Sequence, residues 1–351
     1  MIVKEGLASV YSSSDTTSIG PGVRGPGFYN AEQRLNRDIT LALLSVLKPK
    51  RYLDGFGGTG IRAIRAALEL SIDSVVSDIN RKSFSIIEEN VKRNNASVEV
   101  INGRFESVVS SEFFDFIDVD PYGSIVPYVD VSLNYAMNGG YIGFTATDLS
   151  SLTGSIQKKT FRRYGAHIIN DRLRHEKGIR LLIAFIAKRA AAQDKAVIPI
   201  ISFWNSHYYR VIVQVKKGAS ISDRTLDQIS IYNKKKNLLD FYDDVDEGPI
   251  WLGNISSVKP DIEIEEKYVD SVALQLIRNA EYENIMPLFY ELSDVASFLH
   301  IDVPRIDCVK EYLMKEFGIE SRRTRFSTTG IKYNGPGDRI LEASLNLSSK
   351  K

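Results

Sequence analysis

The feature that most constrains the fold is a regular alternation of short apolar runs and helical patterns between residues 51 and 148. Five apolar runs are typical of buried strands, in "RYLD", "DSVVSDIN", "SVEVING", "FFDFIDVD" and "GGYIGFTATD". Amphipathic stretches with helical spacing, such as "IRAIRAALEL", lie between them, and the loops are short. This alternation predicts a parallel sheet with helices on both faces, the doubly wound α/β class.

After this block, the sequence predicts two more strands and a separate C-terminal region. The strands "AVIPIISFW" and "YYRVIVQVKKG" follow a long helical pattern, and a polar, acid-rich stretch then runs from about 223 to 253. The tail has two helical patterns, joined by a turn at 302–304, and a hairpin pattern in "SRRTRFSTTGIKY". Helix, turn, helix and hairpin is the layout of a winged helix. We therefore predict domains at 1–222 and 223–351, with a loop-like extension over residues 1–27.

Composition excludes several classes of protein. Cys308 is the only cysteine, so an internal disulfide and a cysteine-ligated zinc are excluded, and the four histidines lack the spacing of metal ligands. We expect no metal. No apolar run reaches the roughly 18 residues that a membrane helix needs, and the N-terminus lacks the apolar core of a signal peptide. We therefore expect no membrane association and a cytoplasmic location, while the sequence assigns no oligomeric state.

A glycine-rich turn follows the first strand of the alternating block. In "DGFGGTG", Gly55, Gly57 and Gly60 match the G-x-G-x-x-G pattern of nucleotide-binding turns. Asp78 stands at the end of the next strand, where a carboxylate can accept hydrogen bonds from ribose hydroxyls. The pattern predicts an adenosine-containing cofactor, and by itself it suits a nicotinamide enzyme as well as other nucleoside binders.

Asp54, directly before the glycines, favours one type of cofactor. A carboxylate would repel a pyrophosphate but attract S-adenosyl-L-methionine, which carries a sulfonium and an ammonium group. Arg37 and Arg62 could pair with the carboxylate of the methionine part. These residues therefore indicate a methyl donor.

The fourth strand ends in Asp120-Pro121-Tyr122-Gly123, at the sheet edge where open α/β sheets bind ligands. An exocyclic amine on a nucleobase is a poor nucleophile and needs a group that accepts its hydrogens. Asp120 can supply a charged acceptor, and the rigid ring of Pro121 fixes nearby carbonyls that could accept the second hydrogen. The ring of Tyr122 can stack on a flipped base, and Gly123 permits its close approach.

Charge is unevenly distributed although the net charge is only +1. Residues 151–219 contain fourteen Lys and Arg against three acidic residues, an excess of eleven positive charges. Acidic residues gather after position 239, for example at 243–247. This distribution predicts a basic surface suited to a polyanion such as nucleic acid.

Taken together, the motifs resemble those of the tRNA (guanine-26-N2)-dimethyltransferase family, in its archaeal type. The resemblance extends from residue 28 to 332 and rests on "FYNAEQRLNRD", "LDGFGGTGIRAIR", "FIDVDPYGS", "FTATD", "RRYG", "HEKGIR", "SHYYRVIVQV", "GPIWLG" and "TRFSTTGIK". It implies a Rossmann-like methyltransferase domain and a C-terminal domain that helps to hold tRNA.

The resemblance also implies roles for single residues. S-adenosyl-L-methionine would be bound by Arg37, Arg62, Asp78 and the loop from Asp54 to Gly60. Asp120 would be the catalytic carboxylate, and Phe28 and Tyr122 would stack on the flipped guanine.

Two departures from the family pattern concern the cofactor and zinc. After the third strand, "INGRFES" has Arg104 and Phe105 where the family commonly has an Asn-x-Asp-Asp-Ala sequence. Backbone groups of this loop or Glu106 would have to replace the missing carboxylate near the adenine. No cysteine follows the strand at 209–215, so the zinc of some members is not implied.

Three other functions compete with this interpretation. An adenine-N6 methyltransferase would use the same carboxylate, proline and aromatic ring. A nicotinamide oxidoreductase would use the same glycines, but no His, Lys or Tyr-x-x-x-Lys arrangement for hydride chemistry stands out. A non-catalytic RNA-binding protein would not need the intact Asp120 motif beside a complete glycine loop.

Overall fold

The structure, a computed structural model, describes residues 1–13, 25–258 and 268–348. They form two compact units. The first unit comprises Met1–Asp148, Ile186–Leu226 and Ser257–Asn279, and the second comprises Leu149–Phe185, Asp227–Ser256 and Ala280–Lys351. Among the helices in the described ranges, none has the length and apolar character that a bilayer crossing requires.

Strands and helices alternate in the first part of the chain, as the sequence predicts. In chain order they are β1 (Ile2–Glu5), β2 (Ala8–Tyr11), α1 (Arg34–Leu47), β3 (Arg51–Asp54), α2 (Ile61–Leu70), β4 (Asp73–Asp78), α3 (Arg81–Arg93), β5 (Val98–Asn102), α4 (Phe105–Val109), β6 (Phe114–Val119), α5 (Val129–Tyr135) and β7 (Ala136–Ala146).

Helices dominate the second part of the chain. In order they are α6 (Leu149–Leu152), α7 (Gln157–Tyr164), α8 (Arg174–Ala191), β8 (Lys195–Asn205), β9 (Tyr208–Lys217), α9 (Ala219–Leu226), β10 (Ile229–Asn233), α10 (Lys234–Asn237), β11 (Asp246–Trp251), α11 (Ser271–Arg278), β12 (Tyr290–Glu291), α12 (Leu292–Leu299), α13 (Ile306–Phe317), β13 (Ser321–Arg323), β14 (Gly330–Tyr333) and α14 (Asp338–Ser348).

A seven-stranded sheet in the order β5-β4-β3-β6-β7-β9-β8 is the centre of the first unit. The five strands from β5 to β7 are parallel, whereas β9 pairs antiparallel with β7 and with β8. Leu53, Val75 and Ile117 on the central strands are fully buried, which explains their near-continuous apolar runs. The predicted fold class is confirmed, and β8 and β9 add an antiparallel edge to it.

The prediction of a loop-like N-terminus is wrong for its first residues. β1 and β2 form an antiparallel hairpin around Gly6, with Val3 opposite Val10. Ala8 and Val10 pack against Tyr29 and against α2, because alternate residues of the strand face the core. Residues 14–24 of the predicted extension lie outside the described residues.

The second unit contains the helices and hairpin predicted for the tail. α12 and α13 precede an antiparallel pair of β13 and β14, and β12 pairs with the other edge of β14. The same unit also contains residues 149–185 and a β10–β11 pair within the acid-rich stretch. The assignment of domain boundaries at 1–222 and 223–351 stays a prediction.

The predicted basic surface over 151–219 is wrong for several of its cations. Lys177, Arg180, Lys195 and Arg210 are buried. Lys177 pairs with Glu247 at 2.7 Å. Arg180 pairs with Glu176 at 2.8 Å, and Arg210 pairs with a carboxylate of β6 at the same distance. Lys195 instead donates to the backbone carbonyls of Leu133 and Asn134. All four cations have internal partners, so the count of basic residues overstated the charge available to a ligand.

Candidate functional site

The glycine-rich turn connects β3 to α2 at the carboxyl edge of the sheet. Gly60 has φ of +78°, a left-handed conformation that glycine adopts without strain, and α2 begins directly after it. At Gly55, a Cβ atom would lie 2.5 Å from the ring of Phe105, so only glycine allows this close packing. The turn therefore has the local geometry that the sequence pattern predicts.

A cavity of about 590 Å³ in the first unit lies against this turn. Twelve of the thirteen residues that the sequence assigned to the site line it, while Gly60 does not. Those twelve are Phe28, Arg37, Asp54, Gly55, Gly57, Arg62, Asp78, Arg104, Phe105, Asp120, Pro121 and Tyr122. The cavity therefore brings together residues from positions 28 to 122, as expected when the loops after parallel strands meet at one sheet edge.

Asp78 is held in place by backbone groups of two loops. Its Oδ2 accepts a hydrogen bond from Gly58 N–H at 3.1 Å, and its Oδ1 accepts one from Asn80 N–H at 2.7 Å. Burial raises the pKa of Asp78, and these two hydrogen bonds oppose that effect. The Ser83 hydroxyl donates a third hydrogen bond, so of the roughly four lone-pair positions of the carboxylate some capacity is left to accept from a ribose hydroxyl.

The turn at Asp120–Gly123 is fixed by the residue after β7. Gly123 N–H donates to Thr147 Oγ1 at 2.9 Å, and Thr147 N–H donates to Gly123 O at the same distance. Because β6 and β7 are neighbours in the sheet, this pair of bonds ties together the ends of two adjacent strands. Asp120 thereby faces the cavity on a rigid support.

Two arginines and two aspartates form a charged cluster beneath the cavity. Arg62 Nη2 lies 2.8 Å from Asp120 Oδ2, and Arg62 Nη1 lies 3.4 Å from Asp118 Oδ2. Arg210 donates to both oxygens of Asp118 at 2.8 Å, and both of these residues are fully buried. The carboxylate at the cavity is therefore connected through Arg62 to an ion pair inside the sheet.

Burial and neighbouring charges shift the pKa values of these carboxylates in different directions. Burial raises the pKa of Asp54 to about 7; Arg62 opposes this shift, and Asp118 and Asp120 add to it. Burial also raises the pKa of Asp120, against the attraction of Arg62. For Asp118, Arg210 and Arg62 outweigh burial and lower the pKa. Asp118 is therefore the permanent anion, and Asp54 is poised to change its protonation near neutral pH.

Arg37 lies at the cavity wall but is anchored from behind. It pairs with Glu5 of β1 at 2.6 Å, donates to Asn30 O at 3.1 Å, and lies over the ring of Tyr29 at 4.8 Å. Arg65 binds the other oxygen of Glu5 at 2.6 Å. The N-terminal hairpin thus positions an arginine of the site.

Three aromatic rings form one wall of the cavity. Phe105 stacks on Phe56 at a centroid distance of 5.2 Å, and Tyr128 meets both rings edge-on at 4.9 and 5.6 Å. Arg104 beside them is exposed and lies 3.6 Å from Glu106. This wall is apolar, at the place where the resemblance noted above would imply a carboxylate.

Phe28 and Tyr122 stand together at the cavity. Their centroids are 6.3 Å apart with ring planes tilted by 52°, and the side chain of Tyr122 is exposed. A flat base can contact both rings face to face only after one ring turns. The structure thus brings the two predicted stacking residues together.

Comparison with known proteins identifies the family. Residues 9–344 match the family model described as N2,N2-dimethylguanosine tRNA methyltransferase. The chain belongs to this family. It is 45% identical over 323 residues to a tRNA (guanine(26)-N(2))-dimethyltransferase of Thermoplasma volcanium, covering 92% of this chain and 93% of the relative. A protein of the same name from Thermoplasma acidophilum is 41% identical over 356 residues, covering 100% and 99%.

A solved structure of the family has the same fold. It is described as a complex of Trm1 from Pyrococcus horikoshii with S-adenosyl-L-methionine. The TM-score is 0.85 with 29% sequence identity, and the match covers 98% of this chain and 99% of that one. Since both compact units fall within this coverage, the relationship concerns the whole chain.

Several residues in or behind the cavity were missed by sequence reasoning. Phe56 lies within the quoted glycine loop, and Tyr128 shortly follows the Asp120 motif, but an isolated aromatic residue in a sequence does not by itself indicate a site. Asp118 and Thr147 were quoted only as parts of motifs. His207 also lies at the cavity, with Nδ1 2.6 Å from Glu32 Oε2. Its position depends on the antiparallel β8–β9 hairpin, which the order of motifs does not reveal.

Proposed function

We propose that this chain transfers methyl groups from S-adenosyl-L-methionine to the exocyclic N2 of guanine 26 in tRNA. The family description and the names of the relatives supply the reaction. The observation that carries the proposal is that Asp120 lines the same cavity as the glycine loop and Asp78. A methyl donor bound by that loop would thus share one cavity with Asp120, the carboxylate that would bind the guanine amino group.

The residues around the glycine loop fit S-adenosyl-L-methionine. Asp54 is a buried carboxylate on the cavity wall, and a cationic ligand beside it would stabilise its ionised form. Asp78 would accept hydrogen bonds from the ribose hydroxyls, and the rings of Phe56, Phe105 and Tyr128 would pack against the adenine. When bound, the donor supplies an electrophilic methyl group on a positively charged sulfur.

The two predicted arginines would act at different ends of the site. Arg37 is held by Glu5 and Asn30 with its guanidinium at the cavity, so it can attract the carboxylate of the methionine part. Arg62 is engaged with Asp120 and Asp118, so its main effect would be on the charge of the catalytic carboxylate.

Asp120 would orient the guanine amine and accept its proton. The amine lone pair is delocalised into the base, and hydrogen bonds from N–H to a carboxylate help to localise it on the nitrogen. The nitrogen gains the methyl group and loses a proton, which Asp120 can accept because its pKa is raised by burial. Pro121 would fix the backbone at this point, and Phe28 and Tyr122 would stack on the flipped guanine.

The second unit would contribute to tRNA binding. We assign this role to the C-terminal region 223–351 because α12, α13 and the β13–β14 hairpin have the order of a winged helix. Replacing Lys310 and Lys315 of α13 by Ala should weaken tRNA binding and leave donor binding unchanged. Equal binding by wild type and variant would contradict this assignment of α13.

Nucleoside mass spectrometry after incubation of the full chain with a tRNA transcript and S-adenosyl-L-methionine tests the reaction. We expect N2-methylguanosine and then N2,N2-dimethylguanosine, and no product from a transcript with adenosine at position 26. Asp120→Asn keeps the shape of the side chain and removes its charge. It should lower kcat by a factor on the order of 100 to 10,000 while donor binding persists.

Two results would contradict the proposal. Methylation of adenosine N6 would favour the alternative acceptor, which uses the same carboxylate. Full activity of Asp120→Asn would remove Asp120 from the mechanism while leaving the reaction itself in place.

A further inference from the structure

We propose that the exposed face of α7 in the second unit is a binding surface for the phosphate backbone of tRNA, with Phe161 as a stacking platform. This inference rests on the proposed function for the identity of the RNA. It concerns residues 157–164, which lie outside the region 223–351 that the sequence assigned to tRNA binding.

Two cations of α7 lie on its exposed face. Thr160 and Tyr164, one helical turn apart, are buried and attach the helix to the unit. Lys158 and Arg162, also one turn apart, are exposed on the other side. Within the described residues, neither of these two cations has an ion-pair partner, unlike the buried Lys177 and Arg180.

Several charge placements on α7 disfavour the helix, although Arg162 and Arg163 lie in its last turn, where the dipole favours cations. The helix has four cations and no acidic residue in the sequence QKKTFRRY. Lys158 with Arg162 and Lys159 with Arg163 are like-charge pairs four residues apart, which destabilise a helix. Lys158 and Lys159 also lie in the first turn, where the helix dipole disfavours cations. A polyanion would relieve both effects, whereas a structural role explains neither.

Phe161 adds a second, independent feature to the same face. Its side chain is 54% exposed, although it is a large apolar residue. Its ring stacks on His167 at a centroid distance of 4.8 Å with planes only 16° apart. Phe161 follows Lys158 by three residues and therefore lies on the same side of α7 as Lys158 and Arg162. Exposed aromatics among cations are a common means of binding unpaired bases.

The test measures binding of an unmodified tRNA transcript to the full chain, without methyl donor, at several salt concentrations. Lys158→Ala with Arg162→Ala should raise the Kd about tenfold or more near physiological salt. It should also reduce the slope of log Kd against log salt concentration by about one for each phosphate that the variant no longer neutralises. Phe161→Ala should raise the Kd and leave the salt slope unchanged, because stacking releases no counterions.

A matched control separates a specific surface from net charge. The double variant Lys92→Ala with Arg93→Ala also removes one Lys and one Arg, but from the exposed last turn of α3. Its tRNA binding should stay close to that of wild type. Because the replaced pair on α7 is repulsive, the α7 variant should be at least as stable as wild type in thermal unfolding. Donor affinity should be unchanged in both variants.

Unchanged tRNA affinity and salt slope in the α7 variant would overturn the proposal, and so would an equal loss in the α3 control. Methylation by wild type is assayed separately. A wild-type protein that binds tRNA through α7 but transfers no methyl group would refute the proposed reaction and leave this surface in place. If wild type methylates tRNA but its tRNA binding does not depend on α7, the proposed surface is refuted and the proposed reaction stands.

Discussion

The guanidinium of Arg62 lies 2.8 Å from Asp120 and 3.4 Å from Asp118, so one side chain contacts both the cavity carboxylate and the buried one. Asp118 is in turn held by Arg210 through both of its oxygens. A buried ion pair of this kind adds little stability compared with an apolar core, because desolvating the charges is costly. Its consequence here is electrostatic, since Arg62 opposes the burial that raises the pKa of Asp120.

Arg62→Gln should therefore move the acidic limb of the kcat/KM profile to higher pH. Loss of the cation raises the pKa of Asp120 further, so a higher pH is needed to ionise it. Arg62→Lys keeps the positive charge but loses the planar guanidinium that contacts both Asp120 and Asp118. The acidic limb of its kcat/KM profile should therefore stay near that of wild type, while the rate falls. A pH–rate series for the three proteins checks this. If the acidic limb of Arg62→Gln lies at the same pH as that of wild type, the ionisation of Asp120 does not determine the pH dependence of kcat/KM.

Asp54 should make donor binding depend on pH. Its pKa of about 7 in the free protein means that a cationic donor binds together with loss of a proton. Donor affinity should rise by up to about tenfold per pH unit below pH 7 and level off above it. Calorimetry in buffers of different ionisation enthalpy measures the released proton. Asp54→Asn should bind the donor more weakly and without this dependence; persistence of the dependence would assign it to Asp120, whose pKa is also raised by burial.

The same carboxylate should affect stability in the opposite sense to most acidic residues. Its folded-state pKa is raised from 3.8 to about 7, so the folded state holds a proton that the unfolded state has released. Stability therefore falls as pH rises from about 4 to 7. Asp54→Asn should stabilise the free protein at pH 8 and have much less effect at pH 4, as urea unfolding would show. An equal effect at both pH values would mean that Asp54 is ionised throughout.

The strands and the meeting of their loops were predictable because they follow from local patterns. Each strand that ends in a glycine or a carboxylate delivers that residue to one edge of a parallel sheet. Gly55, Asp78 and Asp120 therefore meet in the structure as the sequence predicts. The family assignment is confirmed, and the relatives reported above are named for guanine, which gives no support to the adenine-N6 alternative.

Contacts between distant segments were not predictable from such patterns. Glu5 contacts Arg37 because the hairpin at 2–11 packs on α2. The sequence around either residue does not predict this ion pair. Burial was equally hidden, since Arg210 was counted among surface cations although it pairs with Asp118 inside the sheet. Periodicity shows which face of an element is apolar, but it does not identify a charged residue with a buried partner.

Gly143 of β7 should be intolerant of any side chain because of Arg210. A Cβ at this position would overlap the Nη2 atom of Arg210. Gly143→Ala should therefore push the guanidinium off Asp118 and cost about 1–3 kcal/mol of unfolding free energy. Arg210→Met removes the guanidinium that the new methyl group would meet. In that background, Gly143→Ala should therefore lower the unfolding free energy by less. A double-mutant cycle measures this coupling; additive effects would show that the methyl group clashes with something else.

Glu5 should contribute stability that disappears in acid. Arg37 and Arg65 outweigh burial and lower its pKa from 4.5 to about 2, so the folded state favours the ionised form. The contribution is fully present above about pH 4.5 and is lost as pH falls through about 2. Glu5→Gln should cost about 3–5 kcal/mol at pH 7, since the buried Arg37 loses its carboxylate partner and Arg65 keeps only Asp38 and Glu69. Glu99→Gln breaks an exposed pair with Arg51 and should cost under about 1 kcal/mol. Urea unfolding at pH 7 and near pH 2.5 compares the three proteins; a cost of Glu5→Gln that matches the control, or that does not shrink in acid, would contradict the assignment.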